Sequence, residues 1–193
     1  MAGGLIGTRE LVLFTVGVVV AGLAVLVRAR ADVANGRPPR VAARHAAVRL
    51  GLLASALAIA VVTLLPQPWS LPGGVNLVPF ASTRQLATNS VAASVAVRNV
   101  AGNVLLFVPF GFFAAAWWRG RRPWAVAVGA AAALSVAVEV GQAVFPSGRS
   151  VDVDDVILNV CGAAIGAGVL VVLRHVARRR SVAAHRRPST PVR

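Results

Sequence analysis

The chain has 193 residues, 57% of them apolar and 13% charged, with a mean hydropathy of +0.74. Soluble domains carry about 25% charge, so lipid is the expected solvent for much of this chain. All twenty basic residues are arginine against six acids, a formal charge of +14. No Cys/His module or basic recognition helix accompanies that charge, so no specific nucleic-acid partner is expected. Cys161 is the single cysteine, which excludes an intrachain disulfide.

The first apolar block runs from Leu11 to Val27 and is followed by Arg28, Arg30 and Asp32. It lacks the small-residue cleavage site of a signal peptide and reads as an uncleaved span. Six arginines, two prolines and His45 separate it from the second block, Leu50 to Leu65, which Pro66 and Pro68 stop. Residues 66 to 98 form the longest connection. Their apolar part, Leu86 to Val97, is sprinkled with Thr, Ser and Asn and suits an interfacial or re-entrant segment.

The third block, Val100 to Trp118, holds Asn103 and Pro109, and Trp117, Trp118 and Trp124 flank the turn after it like an interfacial belt. The fourth runs from Trp124 to Phe145, and the fifth from Asp152 to Leu173. The short connection between these two predicts antiparallel neighbours. An arginine-rich tail, read as disordered, closes the chain. The expected fold class is an all-α integral membrane protein of about five transmembrane helices with one longer extracytoplasmic loop. Its expected divisions are residues 1–45 (first helix and Arg-rich connection), 46–174 (membrane domain) and 175–193 (basic cytoplasmic tail).

Orientation follows from the arginines. The first connection, the third connection and the tail hold sixteen of the twenty. By the positive-inside rule that side is cytoplasmic, giving an extracytoplasmic N-terminus and a cytoplasmic C-terminus in a multi-pass cell-membrane protein.

That orientation gathers the unusual polar residues at the outer end. Asn76 lies in the long loop, Asn103 in the outer turn of the third helix, and Glu139 and Gln142 in the outer third of the fourth. Arg149, Asp152, Asp155 and Asn159 follow in the next hairpin. At 100° per residue, Asp152, Asp155, Asn159, Gly162 and Gly166 share a stripe about 80° wide, with Asp154 nearly opposite. Ser135, Glu139 and Gln142 share a face of the fourth helix, and Asn99 and Asn103 one of the third. Glu139 sits about 9 Å inside its block, and an acid at that depth is a functional candidate whose nearest expected cation is Arg149.

Three chemistries compete for this set. A ligand-binding cluster would use the amides and Arg149 on phosphate or carboxylate oxygens, with apolar surroundings for a lipid tail. An enzyme acting on a lipid-linked cell-wall intermediate would use Glu139, Asp152 and Asp155 as catalytic candidates. A transporter would use Glu139 as a relay, but polarity confined to one end and the lack of repeats disfavour it. Structural use, with Asp152 capping a helix and glycines allowing close packing, accounts for individual members. No cofactor is expected. A divalent cation on the clustered carboxylates is speculative, since no His or Cys anchors zinc and the spacing fits no metal loop. Expected partners are membrane lipids, a lipid-linked cell-wall ligand and, in some assemblies, further copies of the chain.

Four ordered motifs carry a family resemblance: Asn76-Leu77-Val78-Pro79-Phe80, the run from Gly102 to Phe112, Ser135 to Gln142, and Gly148 to Gly162. On these the chain resembles the VanZ-like family of bacterial membrane proteins. Carried over residue by residue, the family's characteristic positions fall on Asn76, Pro79, Phe80, Asn103, Pro109, Glu139, Gln142, Arg149, Asp152, Asp155, Asn159 and Gly162. The resemblance implies an envelope protein of a family named for a member linked to low-level teicoplanin resistance. It supplies no mechanism.

Overall fold

The computed structural model describes residues 8–64, 75–80, 90–118, 120–144 and 151–185. Five helices make up almost all of it: α1 (Thr8–Ala34), α2 (Pro39–Leu64), α3 (Ser90–Trp117), α4 (Pro123–Val144) and α5 (Val153–His185). Two dipeptides, β1 (Val75–Asn76) and β2 (Val151–Asp152), pair in parallel with Asn76 opposite Asp152. The protein is an all-α membrane protein. Among the described residues, Pro39–Thr63, Asn99–Trp117, Pro123–Gln142 and Val153–Val182 are long and apolar enough to cross a bilayer.

The helices overrun their apolar blocks. Most of the first polar connection is helical, leaving only Asn35 to Pro38 between α1 and α2, because arginine and alanine are good helix formers and Pro39 suits a first helical position. For the same reason α5 continues to His185, so the part of the tail read as disordered is helical up to that residue. From Ser90, the segment read as interfacial is the N-terminal part of α3, continuous with its membrane-length window.

Polarity is inverted relative to a water-soluble domain. Ser135 is fully buried, while Leu105 is 67% and Val172 61% exposed. Large apolar side chains face outward because lipid tails solvate them, and association of the helices then rests on packing and interhelical hydrogen bonds. The core is accordingly small: Ala115, Ala127, Ala131, Ala163 and Ala167 pack around Phe107 and Ile59.

The most extensive helix contact is α3 with α5. A Cβ on Gly162 would overlap the Val104 carbonyl, one on Gly166 would meet the Val108 carbonyl and the Phe112 nitrogen, and one on Gly111 would meet the Ala163 backbone. Backbone touches backbone here, so no side-chain rotation can relieve an added methyl. Gly168, in the same helix, has open space around it. Gly166→Ala is therefore expected to cost about 1 to 3 kcal/mol by overpacking and to lower the yield of folded protein after detergent extraction. Gly168→Ala should match wild type in the same thermal-unfolding assay, and equal behaviour of the two variants would refute the close-contact account.

Candidate polar site

The polar end is assembled from four separate segments. Asp152 precedes the first residue of α5 and its Oδ1 accepts the backbone N–H of Asp154 at 3.0 Å, the geometry of a helix N-cap. The same oxygen accepts the Asn76 side-chain amide at 3.2 Å. The Asp152 backbone N–H donates to Glu139 Oε2 at 3.1 Å, so the α4 carboxylate holds the entry of α5. One turn further on, Asp155 Oδ1 accepts Asn103 Nδ2 at 2.5 Å and Asn99 Nδ2 at 3.4 Å, both from α3. Asn159 Nδ2 donates to Ser135 Oγ at 2.9 Å. The Glu139–Asp152 and Ser135–Asn159 pairs run in opposite sequence directions, as antiparallel neighbours require.

Gln142 turns elsewhere, its Nε2 donating to the Thr63 carbonyl at 2.8 Å. That carbonyl lies in the last turn of α2, where a helix leaves C=O groups without intrahelical donors. Gln142 thus ties α2 to α4 while Asp155 ties α3 to α5. Glu139, Gln142, Asp152, Asp155, Asn159 and Asn103 are all buried. Bonds to a carboxylate contribute about 1.5 to 3 kcal/mol each.

Asp154, set apart from the others by helical rotation, belongs to the cluster. It is 3% exposed and its Oδ1 accepts the Phe80 N–H at 2.5 Å. The β1–β2 pairing lays the segment after Asn76 over the opposite side of the first turn of α5, giving Asp154 a partner outside the helix bundle. Asn76 Oδ1 accepts the Val78 N–H at 3.1 Å, an Asx turn that leads into Pro79. Phe80 then has φ 63°, a left-handed conformation that costs a non-glycine residue roughly 1 to 3 kcal/mol. Pro followed by a positive φ is the order of a type II turn, and the Asp154 bond holds Phe80 in it. Helical spacing gave no sign of this partner, which a loop 74 residues earlier supplies.

Arg149 lies outside the described residues. Asp152, Asp154 and Asp155 point to different partners, and among the described residues no group of three His, Cys, Asp or Glu is placed to hold a metal ion. Two acceptors stand out. Gln142 Oε1 and Asn159 Oδ1 are buried without a hydrogen-bond partner among the described residues, whereas the amide nitrogens of the same residues are engaged with protein oxygens.

Removing the Asp154 carboxylate tests the loop anchor. In Asp154→Ala, hydrogen exchange at the Phe80 amide should accelerate at least about tenfold, as loss of a bond to a charged group implies. Amides in the middle of α5 should stay unchanged, and unaltered exchange at Phe80 would exclude the anchor.

Comparison with known proteins gives one match. The model of the VanZ/LLP1 family matches residues 52–174, which begin within α2 and end in α5 and so include every described member of the polar cluster. No curated protein matches the chain, and no solved structure does. With well over half its length matched by that family model, the chain belongs to the VanZ/LLP1 family.

Proposed function

We propose that this VanZ-type membrane protein binds an amphiphilic or lipid-linked envelope ligand at its polar end, on the extracytoplasmic side of the membrane. The observation that carries the reading is the pair of buried acceptors, Gln142 Oε1 and Asn159 Oδ1, that have no hydrogen-bond partner among the described residues. A buried acceptor left without a donor costs about 1 to 3 kcal/mol, and such groups are uncommon in native structures. Their presence beside several carboxylates favours a ligand that brings donors: hydroxyl, amide or ammonium groups of a glycan or peptide headgroup. This differs from recognition of an anion by the amides, because Asn76, Asn103, Asn159 and Gln142 each already donate to an oxygen of the protein. Val136 and Val140, exposed on the same helix as Glu139, offer an apolar flank for a lipid tail.

Binding is favoured over catalysis because the carboxylates are committed to architecture. Asp152 caps a helix, Glu139 holds that cap, and Asp155 joins two helices. An acid or base that must exchange protons with a substrate is poorly served by such ties. Confinement of the polar set to one end of the bundle speaks against a transport path. Altered sensitivity to glycopeptide antibiotics is the cellular readout this reading selects.

Glu139→Gln and Asp155→Asn test it directly. Each keeps a side-chain oxygen to accept the structural bond but removes the charge beside the two acceptors, so each should reach the membrane in near-normal amount yet weaken binding of a polyprenyl-linked glycan in nanodiscs by at least about tenfold, or about 1.4 kcal/mol. The double variant should show coupling of roughly 0.5 to 3 kcal/mol if both residues shape one bound group. Wild-type affinity in both stable single variants would end the ligand reading and leave the cluster as an assembly device.

The orientation is tested separately. In a Cys161→Ser background, Leu77→Cys should react with an impermeant maleimide in intact cells and Val182→Cys only after lysis, as expected from the sixteen arginines on the other side. The reverse pattern would place the polar end in the cytoplasm.

A further inference from the structure

The opposite end of the bundle holds a second constellation, independent of the polar cluster. A cavity of about 670 Å³ is lined by Arg37, Arg40, Arg44, His45, Arg49 and Arg174, with Trp117 on its wall. These residues come from the α1–α2 turn, the first turns of α2, the C-terminal end of α3 and, more than a hundred residues from α2 in sequence, the C-terminal half of α5. Here Arg40 and Arg44 lie four apart on one helical face, an arrangement that by itself is destabilising for like charges, and Arg174 approaches the same concavity.

Two features order the cavity wall. Asp32 is 4% exposed and forms ion pairs with Arg37 at 3.3 Å, Arg49 at 3.7 Å and Arg28 at 3.9 Å. One carboxylate offsets one charge and orients several guanidinium groups. Arg49 is also stacked over the Trp117 ring, 5.3 Å from its centroid. Its Nη1 and Asp32 Oδ2 are both buried and face each other at 3.7 Å, an ion pair without a hydrogen bond among the described residues. A guanidinium held by the Asp32 carboxylate on one side and the Trp117 ring on the other has a fixed orientation on the cavity wall, which favours binding of an oxyanion by its remaining N–H groups.

We propose that this cavity is a binding site for a phosphate group, held by Arg49 with Arg40, Arg44 and Arg174 around it. Planar arginine forks match phosphate oxygens in pairs, and the Trp117 wall places the site at the level where aromatic rings meet lipid headgroups. The same chemistry serves a phosphodiester headgroup of an anionic lipid or a soluble phosphate.

The test uses the full chain in a neutral detergent at low ionic strength, titrated calorimetrically with dioctanoyl phosphatidylglycerol and, in a second arm, with inorganic phosphate. One saturable equivalent is expected. Saturation by the lipid alone assigns the headgroup source, and saturation by inorganic phosphate assigns a soluble one. Arg40→Ala and Arg44→Ala, both at exposed positions, should weaken binding more than tenfold, as should Arg174→Ala, and Arg44→Lys should recover part of the loss. Arg180→Ala, exposed on α5 outside the cavity, should change it less than fivefold, the effect of diffuse attraction between one arginine and an anionic surface. Equal losses for Arg180→Ala and the cavity variants would overturn the site, as would the absence of saturation by either probe with a protein whose thermal unfolding is normal.

Discussion

The approach of α3 to α5 governs the rest of the molecule. Gly111, Gly162 and Gly166 remove side chains where the two backbones meet, and only at that separation can the short amide of Asn103 reach Asp155. Dispersion between close backbones and a hydrogen bond to a buried carboxylate then reinforce one another, since each fixes the geometry the other requires. Widening the contact by one methyl would disturb the packing and the acid together.

From that contact the two ends of the bundle diverge in chemistry. At one end carboxylates of α4 and of the entry and first turn of α5 accept amide and backbone donors from α3, the loop segment and Asp152. At the other, a single buried aspartate stands against several arginines. Charged groups thus gather towards the two ends, while the middle is alanine, glycine and a few large apolar residues. A bundle surrounded by hydrocarbon permits this, because polar groups incur little cost only near its ends or inside well-paired contacts.

Much of this was legible in the residues. Apolar blocks and arginine breaks located the helices, and 3.6-residue spacing correctly grouped Ser135 with Glu139 and Asp155 with Asn159 on faces that meet. Spacing within a helix says nothing about what a loop lays against it, which is why Asp154 stood apart until Phe80 supplied its partner. Backbone groups are equally invisible to residue type, so Thr63 could not be foreseen as the acceptor for Gln142. The arginines between α1 and α2 read as a solvated connection because apolar periodicity ends there. Helix propagation past the apolar block is what turns Arg40 and Arg44 onto a shared face.

The anchoring of the 75–80 segment also sets an order of events during synthesis. Asn76 and Phe80 are made 76 and 74 residues before Asp152 and Asp154, the acids that fasten them. At roughly 5 to 20 residues per second, the segment waits about 4 to 15 s for its partners to emerge. During that interval Phe80 lacks the Asp154 bond, and the completed end forms only once the last hairpin has been made. Closure of the polar end therefore depends on the arrival of α5: until its first turn is in place, Asn76 and Phe80 lack the acceptors that fasten the earlier segment.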